Sequence, residues 1–342
     1  MLLSIIIPLY NCAAYVERCI LSIYDQGLNN QDFEVIVIND GSTDGGEKIV
    51  EKLARTCTNL ILLSQENKGL SAVRNRGVEV ARGRYVEFLD ADDYLIPCGM
   101  SRLLKTAVDN DVDILVFKTK KVEDTIALGL PEPEEVLDKN YKVSPVLTGP
   151  EAVAYESMPE YVFSVNYLFM RRQMYIDHNL RFATDIAFGE DGIVSMQLFI
   201  NARRVIVTDC LVHRYVNRAS SLCSSREKKT QVNRIRCYKK AAIEFHRINE
   251  AHKCRSLKGY DLYRQRINLF IFFYLYGSMK DDIPNSELKA GIKELREHGL
   301  YPIGTFERFG YTGFKNKCLI AFCNTGGLFT LTHRILHLFR WK

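Results

Sequence analysis

The sequence predicts an α/β fold, a mostly parallel sheet flanked by helices, continued by a helical C-terminal extension. Three observations predict it. Short apolar runs rich in β-branched residues alternate with amphipathic stretches through the first hundred residues. Each run is too apolar to keep a polar face, as expected of strands covered on both sides. Alternation at this pitch implies right-handed crossovers between parallel strands.

Taken in order, residues 3–8 read as a buried strand bounded by Pro8. Residues 12–26 place Ala13, Val16, Cys19, Ile20 and Ile23 at helical spacing. Strands are expected at 33–38, 60–63 and 85–89, with helices at 47–54 and 71–81 between them. A helix over 98–109 leads to a strand at 113–118. The stretch 121–150 contains PEPEE, turn residues and little periodicity, and reads as an irregular insertion. Beyond it, YVFSVNYLFMRRQMYIDHNLRF carries an aromatic-rich strand and a helix, and RVIVTDCLVHRYV reads as one further strand. From 226 to about 300 the pattern is helical and amphipathic. The expected division is a sheet domain over 1–225 and a helical region over 226–342 ending in a basic amphipathic tail.

Composition sets outer bounds. At 342 residues, 47% apolar and 25% charged, the chain can build a sizeable core. Its 46 basic residues are nearly matched by 41 acidic ones, so the balance of +5 argues for no nucleic-acid partner. Residues 314–342 hold Lys315, Lys317, Arg334, Arg340 and Lys342 without an acid. Ten scattered cysteines form no C-x-x-C pair and read as reduced thiols. MLLSIIIPLY lacks a basic leader and is cut short by Pro8, and nothing elsewhere reaches the roughly 18 apolar residues of a spanning helix. A cytoplasmic location is expected.

In an open parallel sheet, ligands bind outside the carboxyl ends of the strands. Those ends carry Pro8, Tyr10 and Asn11; Asn39 and Asp40; Glu66 to Gly69; and Asp90, Asp92 and Asp93. Singly, each has a structural reading, with Ser42 or Thr43 capping a helix and Asp92 starting a turn. Jointly they describe a site. A phosphate loop at Gly41 to Gly46 is disfavoured, since Glu47 stands where Lys is needed. FLDADDYL is more telling, because adjacent carboxylates repel unless a cation sits among them. Mg²⁺ and Mn²⁺ use one or two carboxylates, leaving positions for water and phosphates. Such a cation would neutralise a departing diphosphate.

SIIIPLYN, VIVINDGSTD, QENKGLSAVRNRG and GRYVEFLDADDYL resemble, in order and spacing, the successive motifs of the family 2 inverting glycosyltransferases. The resemblance is close over the first hundred residues and looser to about 225. It implies a GT-A fold, a nucleotide-diphosphate sugar donor and a divalent metal, Mn²⁺ or Mg²⁺. Pro8 and Tyr10 would line the base pocket, and Asp40 would accept the imide N–H of a pyrimidine, which favours UDP. Asn67, Gly69 and Arg74 would contact base and ribose. Asp90 would hold ribose hydroxyls, and Asp92 would bind the metal, alone or with Asp90.

FGEDGIVSMQLF places Glu190 and Asp191 where the family carries its ED motif, ahead of a helix whose N-terminus also favours acids. Asp191 is the expected general base, with Glu190 orienting it or taking the role itself. YVNRASSL resembles the family's Tyr-Arg-x-Arg-x-x-Ser segment over the diphosphate. Arg218 and Ser221 match, but Val216 occupies the first Arg position, leaving His213 or Arg214 to contribute; a lone His at a strand end is more often structural. The tail GGLFTLTHRILHLFRWK, residues 326–342, suits either an anionic bilayer surface or docking on the protein's own core.

The expectation is a metal-dependent inverting glycosyltransferase acting on a glycan or lipid-linked acceptor in surface polysaccharide synthesis, cytoplasmic or at the inner face of the membrane. Its rivals are a sugar nucleotidyltransferase, whose Gly-rich N-terminal loop is missing from PLYNCAAY, and a catalytically silent, membrane-docked assembly protein.

Overall fold

The computed structural model describes residues 1–97, 99–130, 137, 140–155, 163–218, 225–281, 283–310 and 313–340, with side chains except at 255, 308, 314 and 334–340. The first part alternates as expected: β1 (Leu3–Leu9), α1 (Ala13–Tyr24), β2 (Phe33–Asn39), α2 (Gly46–Leu53), β3 (Leu60–Ser64), α3 (Leu70–Val80) and β4 (Tyr85–Phe88). Then come β5 (Tyr94–Leu95), α4 (Met100–Asp109), β6 (Ile114–Val116), β7 (Thr119–Glu123), α5 (Thr125–Leu128) and α6 (Gly149–Val153). They are followed by β8 (Leu168–Arg171), α7 (Arg172–Asp177), α8 (Glu190–Asn201), β9 (Val205–Val207) and β10 (His213–Asn217). The C-terminal region holds α9 (Lys228–Ala251), α10 (Tyr260–Lys280), α11 (Asn285–Glu297), α12 (Phe314–Cys323) and α13 (Gly327–Arg340).

Seven strands form one sheet in the order β3-β2-β1-β4-β8-β6-β9. All its pairings are parallel except those of β8, which runs against both β4 and β6. Leu9, Asn39 and Ser64 share the last rung of β1, β2 and β3, so the loops after these strands leave from one edge. Side chains alternate between two apolar layers. Ile6, Ile36, Val86 and Phe88 enter one, and Ile5, Ile7, Val35 and Tyr85 the other. β2 is buried along its whole length, which is why its sequence shows no polar face.

Glu87 in β4 breaks that pattern. It is fully buried, neither carboxyl oxygen has a hydrogen-bond partner among the described residues, and burial pushes its pKa well above the usual carboxylate range.

A smaller sheet, β5-β10-β7, corrects the reading of RVIVTDCLVHRYV as one strand. β9 ends in the large sheet, and the chain turns through Thr208 and Asp209, which bond to Val116 and Lys142, before β10 starts in the small one. Apolar residues on both sides of the turn hid the break. Regular elements also occur at both ends of the 121–150 stretch, with β7 and α5 at its start and α6 beginning at its end. Thr148 and Glu151 form a capping box that starts α6.

The C-terminal helices share the core of the sheet. One apolar cluster runs from Ile6 and Phe88 through Ile193 and Met196 of α8 to Phe245 of α9 and Phe270 of α10, across the expected division at 225. α10 is not amphipathic. It packs against α9, α12 and α13, and Leu269, Phe270, Ile271 and Phe272 are buried in succession.

Candidate functional site

Asp40 leaves the end of β2 and is almost fully buried. Its carboxylate accepts hydrogen bonds from Gln65 Nε2 (2.8 Å) and from the backbone N–H of Lys68 (2.9 Å) and Gly69 (2.8 Å). It therefore fastens the loop after β3 to the end of β2. Gly69, at φ +85°, then turns the chain into α3. The loop after β1 is fastened to the same neighbourhood. Asn11 N–H donates to Ser42 Oγ (3.1 Å), Thr43 N–H to Asn11 Oδ1 (2.9 Å), and Ala13 N–H to Asp44 Oδ2 (2.7 Å). Ser42 and Thr43 thus join loops and do not cap α2, which starts behind Gly45 without a side-chain cap. Tyr10 is 51% exposed at this edge, with Pro8 half-buried two residues before it, and Asn67 in the loop after β3 is exposed.

The three acids after β4 have separate partners. Asp90 accepts from Asn166 Nδ2 (2.8 Å) and from Arg74 Nη2 (3.3 Å). Asp92 pairs with Arg218 Nη2 at 2.5 Å, and that guanidinium lies over the Tyr15 ring at 4.8 Å. Asp93 points inward. It accepts from Val216 N–H (2.9 Å) and faces His213 Nε2 at 3.4 Å, while His213 Nδ1 meets Thr119 Oγ1 at 2.8 Å. Burial, then Asp90, raises the pKa of Asp92; burial, then Asp92 and Asp90, raises that of Asp93 well above its ordinary value. His213 is wholly buried, its pKa pushed down to about 3 by burial.

These pairings correct one inference from the sequence. Asp90 and Asp92 of FLDADDYL have charge partners, Arg74 from α3 and Arg218 from the end of β10, so a metal is not the sole cation that can offset their repulsion. Neither arginine was visible as a partner in sequence, being separated from its acid by other elements.

Glu190 and Asp191 open α8 behind Gly189, whose φ is +95°. Glu190 is buried and accepts from Arg74 Nη1 at 3.1 Å. Its pKa is pushed up to about 8 by burial and then by Asp191. Asp191 is half-buried and accepts from the Gly192 N–H at 2.7 Å; burial raises its pKa, against the pull of Arg74. Arg74, expected at base and ribose, is buried. It bridges Asp90 and Glu190, acids a hundred residues apart, and its own pKa is raised because those charges outweigh its burial. Arg74 therefore brings Asp90, at the end of β4, together with Glu190 at the start of α8. Ser221 lies outside the described residues.

Residues 4–166 match the family model described as glycosyl transferase family 2. The uncharacterised glycosyltransferase EpsJ of Bacillus subtilis is 32% identical over 248 residues, which span 72% of this chain and 70% of EpsJ. The chain belongs to glycosyl transferase family 2. It is accordingly a glycosyltransferase. A poly(ribitol-phosphate) beta-glucosyltransferase of Bacillus spizizenii is 25% identical over 210 residues, 61% of this chain and 31% of that one. The crystal structure of S. aureus TarS 1-349 with UDP-GlcNAc superposes over all of this chain and 92% of its own, with TM-score 0.66 at 20% identity. That likeness identifies the fold as GT-A.

Among the described residues of this family 2 chain, no three His, Cys, Asp or Glu residues gather around a point that could hold a metal. The available donors are the two carboxylates of Asp90 and Asp92, a set that suits a hard cation completing its shell with water and substrate phosphates. Burial, then the charge of Asp90, raises the pKa of Asp92, so the pair favours a cation, and Arg218 stands beside it here.

Proposed function

We propose that the chain moves one sugar from a nucleotide diphosphate, UDP, to a hydroxyl of a glycan or lipid-linked acceptor in surface polysaccharide synthesis, with inversion and with a divalent cation, Mn²⁺ or Mg²⁺. The Arg74 bridge between Asp90 and Glu190 carries this reading, because it ties the donor end of the cleft to the acid pair. TarS bound to UDP-GlcNAc, on the same fold, supports the nucleotide.

In this reading Tyr10 packs on the base, Pro8 and Asn67 flank it, and Asp40, already holding Gly69, sets the shape of the pocket and reads the imide. Asp90 holds the ribose. Asp92, with Asp90, would hold the cation, which when bound supplies charge neutralisation for the departing diphosphate. Arg218 then turns from Asp92 to the phosphates. Asp191 removes the acceptor hydroxyl proton while that oxygen attacks the anomeric carbon opposite the diphosphate. Glu190, its pKa pushed up to about 8 by burial and then by Asp191, and bonded to Arg74, orients the pair.

We extend the proposal to the tail as a peripheral contact with the inner face of the membrane. Phe329 and His333 of α13 are buried against the protein, while Leu328 and Leu331 are 56% and 54% exposed. Among the described residues no helix is long and apolar enough to cross a membrane.

Donor hydrolysis tests the central reading. With UDP-sugar and Mn²⁺, NMR of the first-formed free sugar should show the anomer opposite to that of the donor; the retained anomer would refute inversion.

A further inference from the structure

Ligands gather at the carboxyl ends of parallel strands, and that rule passes over two residues at the same edge of the sheet. β8 runs against its neighbours, so its first residues, not its last, lie at the edge where β4 ends. Asn166 and Tyr167 form the turn that enters β8, and neither was among the residues expected at the site. Asn166 is buried. Its Nδ2 donates to Asp90 Oδ2 at 2.8 Å, and its Oδ1 accepts from Arg74 Nη2 at 3.3 Å. Only this orientation of the carboxamide sets a donor against the carboxylate and an acceptor against the guanidinium.

Arg74 Nη2 also donates to Asp90 Oδ1 at 3.3 Å, so the two oxygens of one carboxylate are held by two different side chains. Without such bonds an aspartate carboxylate swings broadly about its last torsion. An ionised carboxylate has about four lone-pair positions, so acceptor capacity remains for a ligand. The Asp90 side chain is 28% exposed while that of Arg74 is 3% exposed, which leaves this capacity within reach of the cleft. The turn itself is under strain. Tyr167 has φ +125°, a backbone conformation that an aromatic residue rarely adopts. Such a conformation persists only where the surroundings hold it. Here the Tyr167 carbonyl accepts from Phe117 N–H at 3.0 Å, and the Tyr167 ring stands edge-on to that of buried His213, centroids 5.0 Å apart. On the other side, Asn166 N–H donates to Ser164 Oγ at 3.2 Å. The backbone is thus fixed on both sides of the Asn166 carboxamide.

We propose that Asn166 is a positioning residue for the donor: from the strained turn ahead of β8, its carboxamide locks the Asp90 carboxylate in the orientation that the nucleotide meets. The inference rests on the reading of Asp90 as a donor-holding acid. A carboxylate set in advance binds without the cost of being ordered. The start of the antiparallel strand thereby joins the site, beside the ends of the parallel ones.

A double-mutant cycle on nucleotide affinity tests this without turnover. UDP is titrated with Mn²⁺ into the intact native chain, Asn166→Ala, Asp90→Ala and the double variant, with Asn166→Ser replacing Asn166→Ala if the alanine variant does not fold. Asn166→Ala should weaken UDP about tenfold, the scale of one hydrogen bond to a charged group. In the Asp90→Ala background the same change should alter UDP affinity very little, because the carboxylate it positions is gone. With UDP-sugar, donor KM should rise by a similar factor in Asn166→Ala, and kcat should fall much less. Losses that multiply in the double variant, or a fall in kcat larger than the rise in KM, would mark a general disturbance of the fold and overturn the proposal. If Asp90→Ala weakens UDP and Asn166→Ala leaves it at the native value, the positioning role fails and the donor site stands. If Asp90→Ala leaves UDP affinity unchanged, both fail.

Discussion

At the residue scale the acid pair separates two roles. Glu190 is bonded to Arg74 and carries a raised pKa, whereas Asp191 is half-buried and accepts from the adjacent amide. Asp191→Asn should reduce transfer by about 10²–10⁴-fold while leaving UDP affinity unchanged, and Glu190→Gln should cost less. Steady-state kinetics beside nucleotide titrations checks both; equal losses would reassign the base. Glu87 gives a prediction about stability. Its carboxyl is neutral when folded and ionises freely when unfolded, so the unfolded state sheds a proton first as pH rises. Stability should fall by about 1.4 kcal/mol per pH unit above the ordinary glutamate range, until the folded pKa is reached. Glu87→Leu should remove that slope, and its advantage in urea denaturation should be larger at pH 8 than at pH 5. The acids Asp40, Asp90 and Asp92 were legible because strand ends are where such folds bind ligands. Their partners were not. Arg74 reaches Glu190 across 116 positions, and no local pattern announces an ion pair formed by tertiary packing.

At the scale of elements, the strands of the first half could be read because burial on both faces leaves a continuous apolar run. The same signal misled at RVIVTDCLVHRYV, where two strands of different sheets meet across a short turn. α10 escaped as an amphipathic helix because neighbours cover it on several sides. α13 divides its residues between the protein and solvent, and that division makes the membrane proposal testable. Leu328→Glu with Leu331→Glu should abolish co-sedimentation with anionic vesicles and leave the melting temperature nearly unchanged. Vesicle binding that survives both changes would remove the tail from the account.

At the scale of the whole molecule, the central claim is that loops from four strands and one helix converge on a single cleft that takes a nucleotide and a cation. The structure supports it through a chain of contacts: Asp40 holds Gly69 at the start of α3, Arg74 projects from α3, and Arg74 joins Asp90 to Glu190. Arg218 ties the small sheet to the same place through Asp92. The most direct measurement is calorimetric titration of UDP into the intact protein, with and without Mn²⁺, for the native chain, Asp40→Asn and Asp92→Ala. The account predicts that Mn²⁺ strengthens UDP binding to the native chain, that Asp92→Ala loses the Mn²⁺ effect, and that Asp40→Asn weakens UDP binding with or without the ion. UDP binding indifferent to Mn²⁺ and to both substitutions would contradict it.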